Sequence, residues 1–278
     1  MFVDEATLAS RIHHPNVVQT IDVVQHQGEL LLVMEYVEGE SVMGLLKASR
    51  QSGERMPAAV ALRLTSDVLT GLHAAHEATS DSGVPLEIVH RDVSPSNVLV
   101  GSDGVARVLD FGVAKAAVRL SSTREGGMKG KLRYMAPEQI EDREVTRRTD
   151  IYAVSVMLWE LLVGEALFRG SNEGALIARI REGALVAPSR REPGLPSALD
   201  AVVLRGLARD PSARFATARE LALALEAAAT PASALATGEW VRRVAADSLA
   251  QRRALRARIE AEARTRQRLH GQEQRLLD

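Results

Sequence analysis

The sequence predicts an α+β fold, with a small strand-bearing start and a mostly helical remainder. Three observations lead there. Apolar runs rich in β-branched residues occupy 17–24 and 30–37, and such runs favour strands. From Pro57 onward, apolar residues recur at helical spacing instead. No internal repeat divides the 278 residues, which suffice for one large domain and an appendage.

Taken in order, Phe2, Leu8 and Ile12 mark one face of a first helix, which stops before His13-His14-Pro15-Asn16. Proline disfavours helix in the residue ahead of it. Runs 17–24 and 30–37 are joined by a turn at His26-Gln27-Gly28, so an antiparallel pair is expected. Glu38-Gly39-Glu40-Ser41 leads into a short helix with Ser41 as its N-cap. Val60, Leu62, Leu64, Val68, Leu69, Leu72 and Ala75 give a helix over 57–77. A polar loop over 80–85 returns to a strand at 86–89. Residues 98–100 and 105–109 flank Ser102-Asp103-Gly104 as a hairpin. After Gly112 some two dozen residues lack periodicity and include Gly126-Gly127. A long stretch of that kind inside a domain is usually functional or mobile. Helices follow at 149–163, 173–181, 197–207 and 217–228. Past Thr230-Pro231-Ala232-Ser233 the chain becomes rich in Ala, Arg, Glu and Gln, and 238–270 reads as one charged helix.

Composition excludes several classes. Hydrophobic residues make up 46% and charged residues 26%, an ordinary globular balance. A net charge of −1 gives no pull toward nucleic acid or acidic membranes, so no nucleic-acid partner is expected. The absence of cysteine rules out disulfides, thiolate metal sites and a cysteine nucleophile, and fits a reducing cytosol. The opening MFVDEATLAS lacks the basic and apolar regions of a signal peptide. The longest apolar stretch, 153–163, is interrupted by Glu160 and is too short to cross a bilayer. A cytoplasmic protein without a membrane span is the expectation.

Residues 90–112 concentrate the chemistry. His90-Arg91-Asp92 is followed by Asn97, then by Asp110-Phe111-Gly112, and Ala136-Pro137-Glu138 lies downstream. A carboxylate within hydrogen-bond reach of a hydroxyl can accept its proton. Asn and Asp offer the hard oxygens that Mg²⁺ takes. A lone Asp beside a turn merely caps it; the ordered set carries the meaning.

With these motifs in this order, residues 1–228 resemble a bacterial eukaryotic-like serine/threonine protein kinase, entered inside its first helix. The resemblance implies a two-lobed fold and transfer of the ATP γ-phosphoryl group to a protein Ser or Thr hydroxyl. It implies Asp92 as the base and Asn97 and Asp110 as Mg²⁺ ligands, so ATP and Mg²⁺ are the cofactors. His90, Phe111 and Gly112 are then structural residues of the two loops. Met34-Glu35-Tyr36-Val37 resembles the hinge, where the Glu35 carbonyl and Val37 amide bond adenine over Leu99; an ordinary strand end is the plainer alternative. Glu138 is implied to pair with Arg214, and Asp150 to anchor the catalytic-loop backbone. Arg91 marks kinases whose activation segment is ordered by its own phosphorylation, with Ser121, Ser122 and Thr123 as candidate acceptors. A polar solvated loop is the other reading of those three.

The sequence departs from the family in two places. The family sets a glycine-rich loop and a strand lysine ahead of a helix glutamate, a position that Glu5 matches. Here the first glycine is Gly28 and the first lysine is Lys47. The chain as written therefore lacks three strands of the small-lobe sheet and reads as N-terminally truncated. A start farther upstream or a fragmentary gene, a pseudokinase, and a domain completed in trans all account for this. The second departure is an exchange. Ser94 stands where the family has a lysine that contacts the γ-phosphate, and Lys131 stands where it has a threonine. Lys131 is accordingly a candidate catalytic cation, or else a solvent-facing residue. His73 and His76 are spaced as metal ligands can be, but no second cluster completes a site, so core or capping roles fit better.

The expected organisation is 1–37 as a residual small lobe, 38–228 as the large lobe and 229–278 as a helical tail. In the tail, residues 250–278 hold eight Arg against four Asp and Glu. That excess suits a partner helix or an anionic surface, or simply a solvated face. The expected function is serine/threonine protein kinase, impaired or inactive in the chain as written. A scaffold that binds partners through its helical lobe is the alternative.

Overall fold

The computed structural model of the chain describes residues 12–26, 29–111, 127–183 and 185–277. Strands β1 (Thr20–His26) and β2 (Glu29–Met34) pair antiparallel, with Val23 opposite Leu32 and Gln25 opposite Leu30. This is the expected ribbon, shifted by a few residues. Its root does not continue the strand but docks on the larger part of the molecule. The Val18 amide donates to the Val108 carbonyl and the Val108 amide to the Asn16 carbonyl, each at 2.9 Å. Ile21, Leu31 and Val33 of the ribbon remain exposed. Of the expected first helix only Ile12 lies within the described residues, and it is buried.

A second sheet lies at the lobe junction in the order β3 (Gly39–Ser41), β4 (Val98–Gly101), β5 (Ala106–Val108). The β4–β5 hairpin is the predicted one, with Gly104 in its turn at φ 78°, a left-handed conformation that favours glycine. Strand β3 was not foreseen. Three residues of Gly, Glu and Ser carry no alternation to read, and they become a strand by pairing with Leu99, Val100 and Gly101.

Helix α1 (Val42–Ser52) begins where expected, the Ser41 hydroxyl accepting the Gly44 amide at 3.0 Å. Helix α2 (Ala58–His76) carries a broad buried face. Short helices α3 (Gly127–Leu132) and α4 (Pro137–Ile140) precede α5 (Arg147–Val163). From Thr149 to Val163 every residue of α5 is buried, which makes it the central pillar of the lobe. Helices α6 (Glu173–Glu182), α7 (Pro188–Arg191), α8 (Ala198–Gly206) and α9 (Ala218–Ala228) surround it. Leu64, Leu72, Val154, Leu158, Leu199 and Leu221 sit in one continuous core. None of the helices among the described residues is long and apolar enough to cross a membrane.

Two expectations are corrected. Residues 86–89 form no strand: Glu87 adopts φ 49°, a left-handed geometry that breaks an extended run. The tail is not one charged helix either. It is α10 (Ala234–Val244) and α11 (Ala246–Leu277), separated at Ala245. Trp240, Val241, Ala245 and Leu249 are buried in the main core. Val241, Ala245 and Leu249 follow one another every four residues with Trp240 beside the first, a narrow apolar stripe that the surrounding charge masks in the sequence.

Candidate active site

Residues 90–97 cross the molecule between α2 and β4 as an irregular loop ending in a 3₁₀ turn, Pro95–Asn97. A buried carboxylate holds the loop's shape. Asp150, at the start of α5, accepts the His90 amide at 2.9 Å and the Arg91 amide at 2.8 Å. It also takes a hydrogen bond from His76 Nε2 at 2.8 Å. Burial pushes Asp150 upward, but the His76 hydrogen bond and the charges and amides around it prevail, leaving it below the ordinary Asp value. Arg91 is bent to φ 68° by this grip, a conformation that is uncommon for a non-glycine residue and concentrates at functional sites.

Downstream of that anchor, the candidate groups converge. Asn97 Nδ2 donates to the Asp92 carbonyl at 2.8 Å and to Asp92 Oδ2 at 2.9 Å. The Leu109 amide donates to the Asn97 carbonyl at 2.9 Å, which brings the Asp110 loop against the 90–97 loop. His90 Nε2 bonds the Leu109 carbonyl at 2.7 Å and its ring meets the Phe111 ring edge-on at 4.9 Å. Phe111 is buried while Asp110 is exposed at φ 56°, so the loop drives one side chain into the core and turns the next outward. Lys131 Nζ reaches Asp92 Oδ2 at 2.5 Å. Ser94 is buried, and its hydroxyl has no hydrogen-bond partner among the described residues; it does not bond Lys131.

The donor set suits Mg²⁺. Because the Asn97 amide nitrogen is held by Asp92, its oxygen is left available, and the Asp110 carboxylate is solvent-facing. Among the described residues no group of three or more His, Cys, Asp or Glu gathers, and that includes His73 and His76. An ion that takes only one or two protein oxygens and completes its shell with phosphate and water needs no such cluster.

At the hinge, the Glu35 amide donates to the Gln19 carbonyl at 2.9 Å and the Glu35 carboxylate accepts the Gln19 amide at 3.0 Å. No described residue bonds the Glu35 carbonyl or the Val37 amide. Leu99, half-buried on β4, lies opposite Ser41. Farther away, Glu138 and Arg214 form a two-pronged buried pair at 2.7 and 2.8 Å, with Thr149 Oγ1 also donating to Glu138. Burial works against the Glu138 charge, but Arg214 outweighs it and the carboxyl lies below its usual range. Glu5, Gly112, Ser121, Ser122 and Thr123 lie outside the described residues.

Three site-supporting residues escaped sequence reasoning. His76 holds Asp150; the available signal was a polar residue four positions after Leu72 on an apolar helix face. Gln139 donates to the Arg91 carbonyl at 2.8 Å, fixing the loop from its other side. Tyr134 donates to buried Glu160 at 2.6 Å. Neither of the last two left any local pattern.

The profile of the protein kinase domain matches residues 1–224. The chain is 43% identical over 226 residues, or 81% of its length, to a protein of Myxococcus xanthus (strain DK1622) named tyrosine-protein kinase MasK, of which it covers 35%. It is 39% identical over 220 residues, 79% of the chain, to serine/threonine-protein kinase PknH of Mycobacterium tuberculosis (strain H37Rv), covering 33% of that protein. With serine/threonine-protein kinase PknE of the same strain the identity is 36% over 224 residues, 81% of this chain and 37% of the relative. The chain belongs to the protein kinase family. It spans about a third of the length of these bacterial relatives.

Proposed function

We propose that this chain carries an ATP-dependent protein phosphotransferase site that acts on serine or threonine hydroxyls of a protein substrate. The observation that supports it most is the convergence at Asn97, whose side chain holds Asp92 while its carbonyl receives the Asp110 loop. Asp92 orients the acceptor hydroxyl and takes its proton at a carboxylate oxygen. Asn97 fixes that carboxylate and, with Asp110, is the residue to hold Mg²⁺. The ion, when bound, neutralises charge on the phosphate oxygens. The Glu35 carbonyl and Val37 amide bond adenine, with Leu99 against the base. Lys131 supplies the cation that Ser94 cannot, close to where charge develops. Arg91, whose buried Nε has no hydrogen-bond partner among the described residues, receives a phosphate placed on Ser121, Ser122 or Thr123. In this reading 1–37 serves the nucleotide, 38–228 serves catalysis and substrate, and 229–278 is a helical extension.

No lysine precedes the hinge in these 278 residues. Positioning and charge stabilisation supply nearly all phosphoryl-transfer catalysis. Within these 278 residues, Lys131 is therefore the cation this reading assigns to the phosphates. The test is radiolabelled ATP with a general protein substrate, comparing wild type with Asp92→Asn. Transfer lowered by roughly 10²–10⁴-fold in the variant supports the reading. Absence of transfer, together with no Mg-ATP-induced rise in melting temperature, overturns it in favour of a scaffold that binds partners through the helical lobe. A second acceptor is favoured by one finding: the relative at 43% identity carries the name of a tyrosine kinase. Phosphoamino-acid analysis of the product separates serine and threonine from tyrosine.

A further inference from the structure

The hinge segment is gripped from outside by the C-terminal helices. Helix α10 is anchored first, by Trp240 and Val241 in the core. It lies so close to the β4–β5 turn that a side chain at Gly104 would collide with the Ala234 carbonyl, and one at Gly238 would come within 2.6 Å of the Ser102 carbonyl. Arg242 donates to that same Ser102 carbonyl. The Ser102 amide in turn donates to the Glu38 carbonyl at 2.8 Å. One path therefore runs from the tail through the turn to the hinge backbone.

Helix α11 makes a second, direct path. Ser248, Arg252 and Arg256 are spaced four residues apart, so they share one helix face. Ser248 Oγ donates to Glu40 Oε2 at 2.8 Å. Arg252 donates to the Gly39 carbonyl at 2.8 Å and to both Glu40 oxygens at 2.9 and 3.0 Å. Arg253, beside them, donates to Glu38 Oε1 at 2.6 Å. The Arg256 guanidinium lies 5.4 Å from the centre of the Tyr36 ring. The targets run 40, 39, 38, 36 as the helix advances, so helix and hinge are antiparallel. Glu40 is only 7% exposed. Its charged contact with Arg252 Nη2 is thus held in partial shelter from water and exceeds an ordinary surface pair in strength.

We propose that Arg252, Arg253 and Arg256 are positioning residues of the nucleotide site. Acting through Glu40, Gly39, Glu38 and Tyr36, they fix segment 36–40 so that the Glu35 carbonyl and Val37 amide face the adenine edge. This rests on the adenine-binding reading of the hinge given above. The extension is then part of the nucleotide-binding apparatus.

The experiment measures Mg-ADP affinity of the 278-residue protein by titration calorimetry, with hydrogen exchange of residues 36–41 alongside. Arg252→Ala/Arg256→Ala is expected to weaken Mg-ADP roughly tenfold, to raise KM for ATP without a matching fall in kcat, and to speed exchange at 36–41. Arg252→Lys restores only part of the affinity, because one ammonium cannot span the Gly39 carbonyl and the Glu40 carboxylate as Nη1 and Nη2 do. Arg256→Ala alone removes a surface contact, folds normally, and still weakens binding by about twofold to threefold. Wild-type Mg-ADP affinity in the folded double variant overturns the inference alone. Failure of the wild-type protein to bind Mg-ADP overturns the hinge reading, and the inference with it.

Discussion

Asp92 shares one carboxylate oxygen between an amide and an ammonium: Oδ2 accepts from both Asn97 Nδ2 and Lys131 Nζ. The lysine is partly exposed and the aspartate much less so, so their attraction is neither fully screened nor that of a dry interior. On the proposed reading, this cation stands near where a transferring phosphoryl group gathers charge. Lys131→Ala is expected to lower kcat/KM by roughly 10²-fold, the scale of one lost electrostatic donor. Ser94→Lys in that background is expected to restore part of the loss by returning a cation from the catalytic loop. Steady-state kinetics with saturating Mg²⁺ measures both, and unchanged turnover in Lys131→Ala removes the lysine from the chemistry. Motif spacing made Asp92, Asn97 and Asp110 legible. The contact between Lys131 and Asp92 was legible only as an exchange of residue types, since positions 39 residues apart leave no local trace of touching.

At the scale of elements, α5 shows how a helix can be identified correctly while its role stays hidden. Its apolar run announces a helix, and only the packed structure reveals that Asp150, Ser155 and Glu160 are buried along with it. Ser155 satisfies itself on the Ile151 carbonyl at 2.8 Å, and Glu160 is met by Tyr134 and the Leu167 amide. Each polar group therefore has a partner contributed by the fold. The opposite case is α10, whose composition reads as solvated helix although Trp240 is 2% exposed. Trp240→Ala is expected to cost about 3–5 kcal/mol, as truncation of a buried aromatic does. Urea unfolding followed by circular dichroism measures it. A loss under ~0.5 kcal/mol, the level of a surface substitution, would show that α10 is an appendage and not part of the core.

For the whole molecule, stability should depend on pH through carboxylates shifted in opposite directions. Asp150 and Glu138 lie below their ordinary values, so the folded state holds their charged forms more firmly than the unfolded chain does. Their contribution is complete above about pH 4 and is lost as pH falls through the lowered values. Glu160 is pushed up, mainly by burial. Its contribution is complete below about pH 4 and is lost as pH rises through its raised value. Glu160→Gln removes that second dependence. The difference in urea midpoint, variant minus wild type, is expected to grow with rising pH above about pH 5 and to level off once Glu160 is fully ionised. A difference that is flat across that range would show that Glu160 ionises in the fold as it does in water.

The sequence by itself determined the class of the fold, most of its helices, the β1–β2 ribbon, the β4–β5 hairpin and the identity of the loop residues that gather around Asp92. Those features rest on periodicity, on turn chemistry and on motifs whose members lie within a few residues of one another, and all of these are written locally. Only the tertiary structure decided that 39–41 is a strand, that 86–89 is not, that His76 and Gln139 brace the catalytic loop, and that the tail returns to grip the hinge. Each of these depends on a partner far away along the chain. Arg252 and Glu40 are separated by 212 positions, and a contact over that distance is set by the packing of the core between them, not by any pattern around either residue.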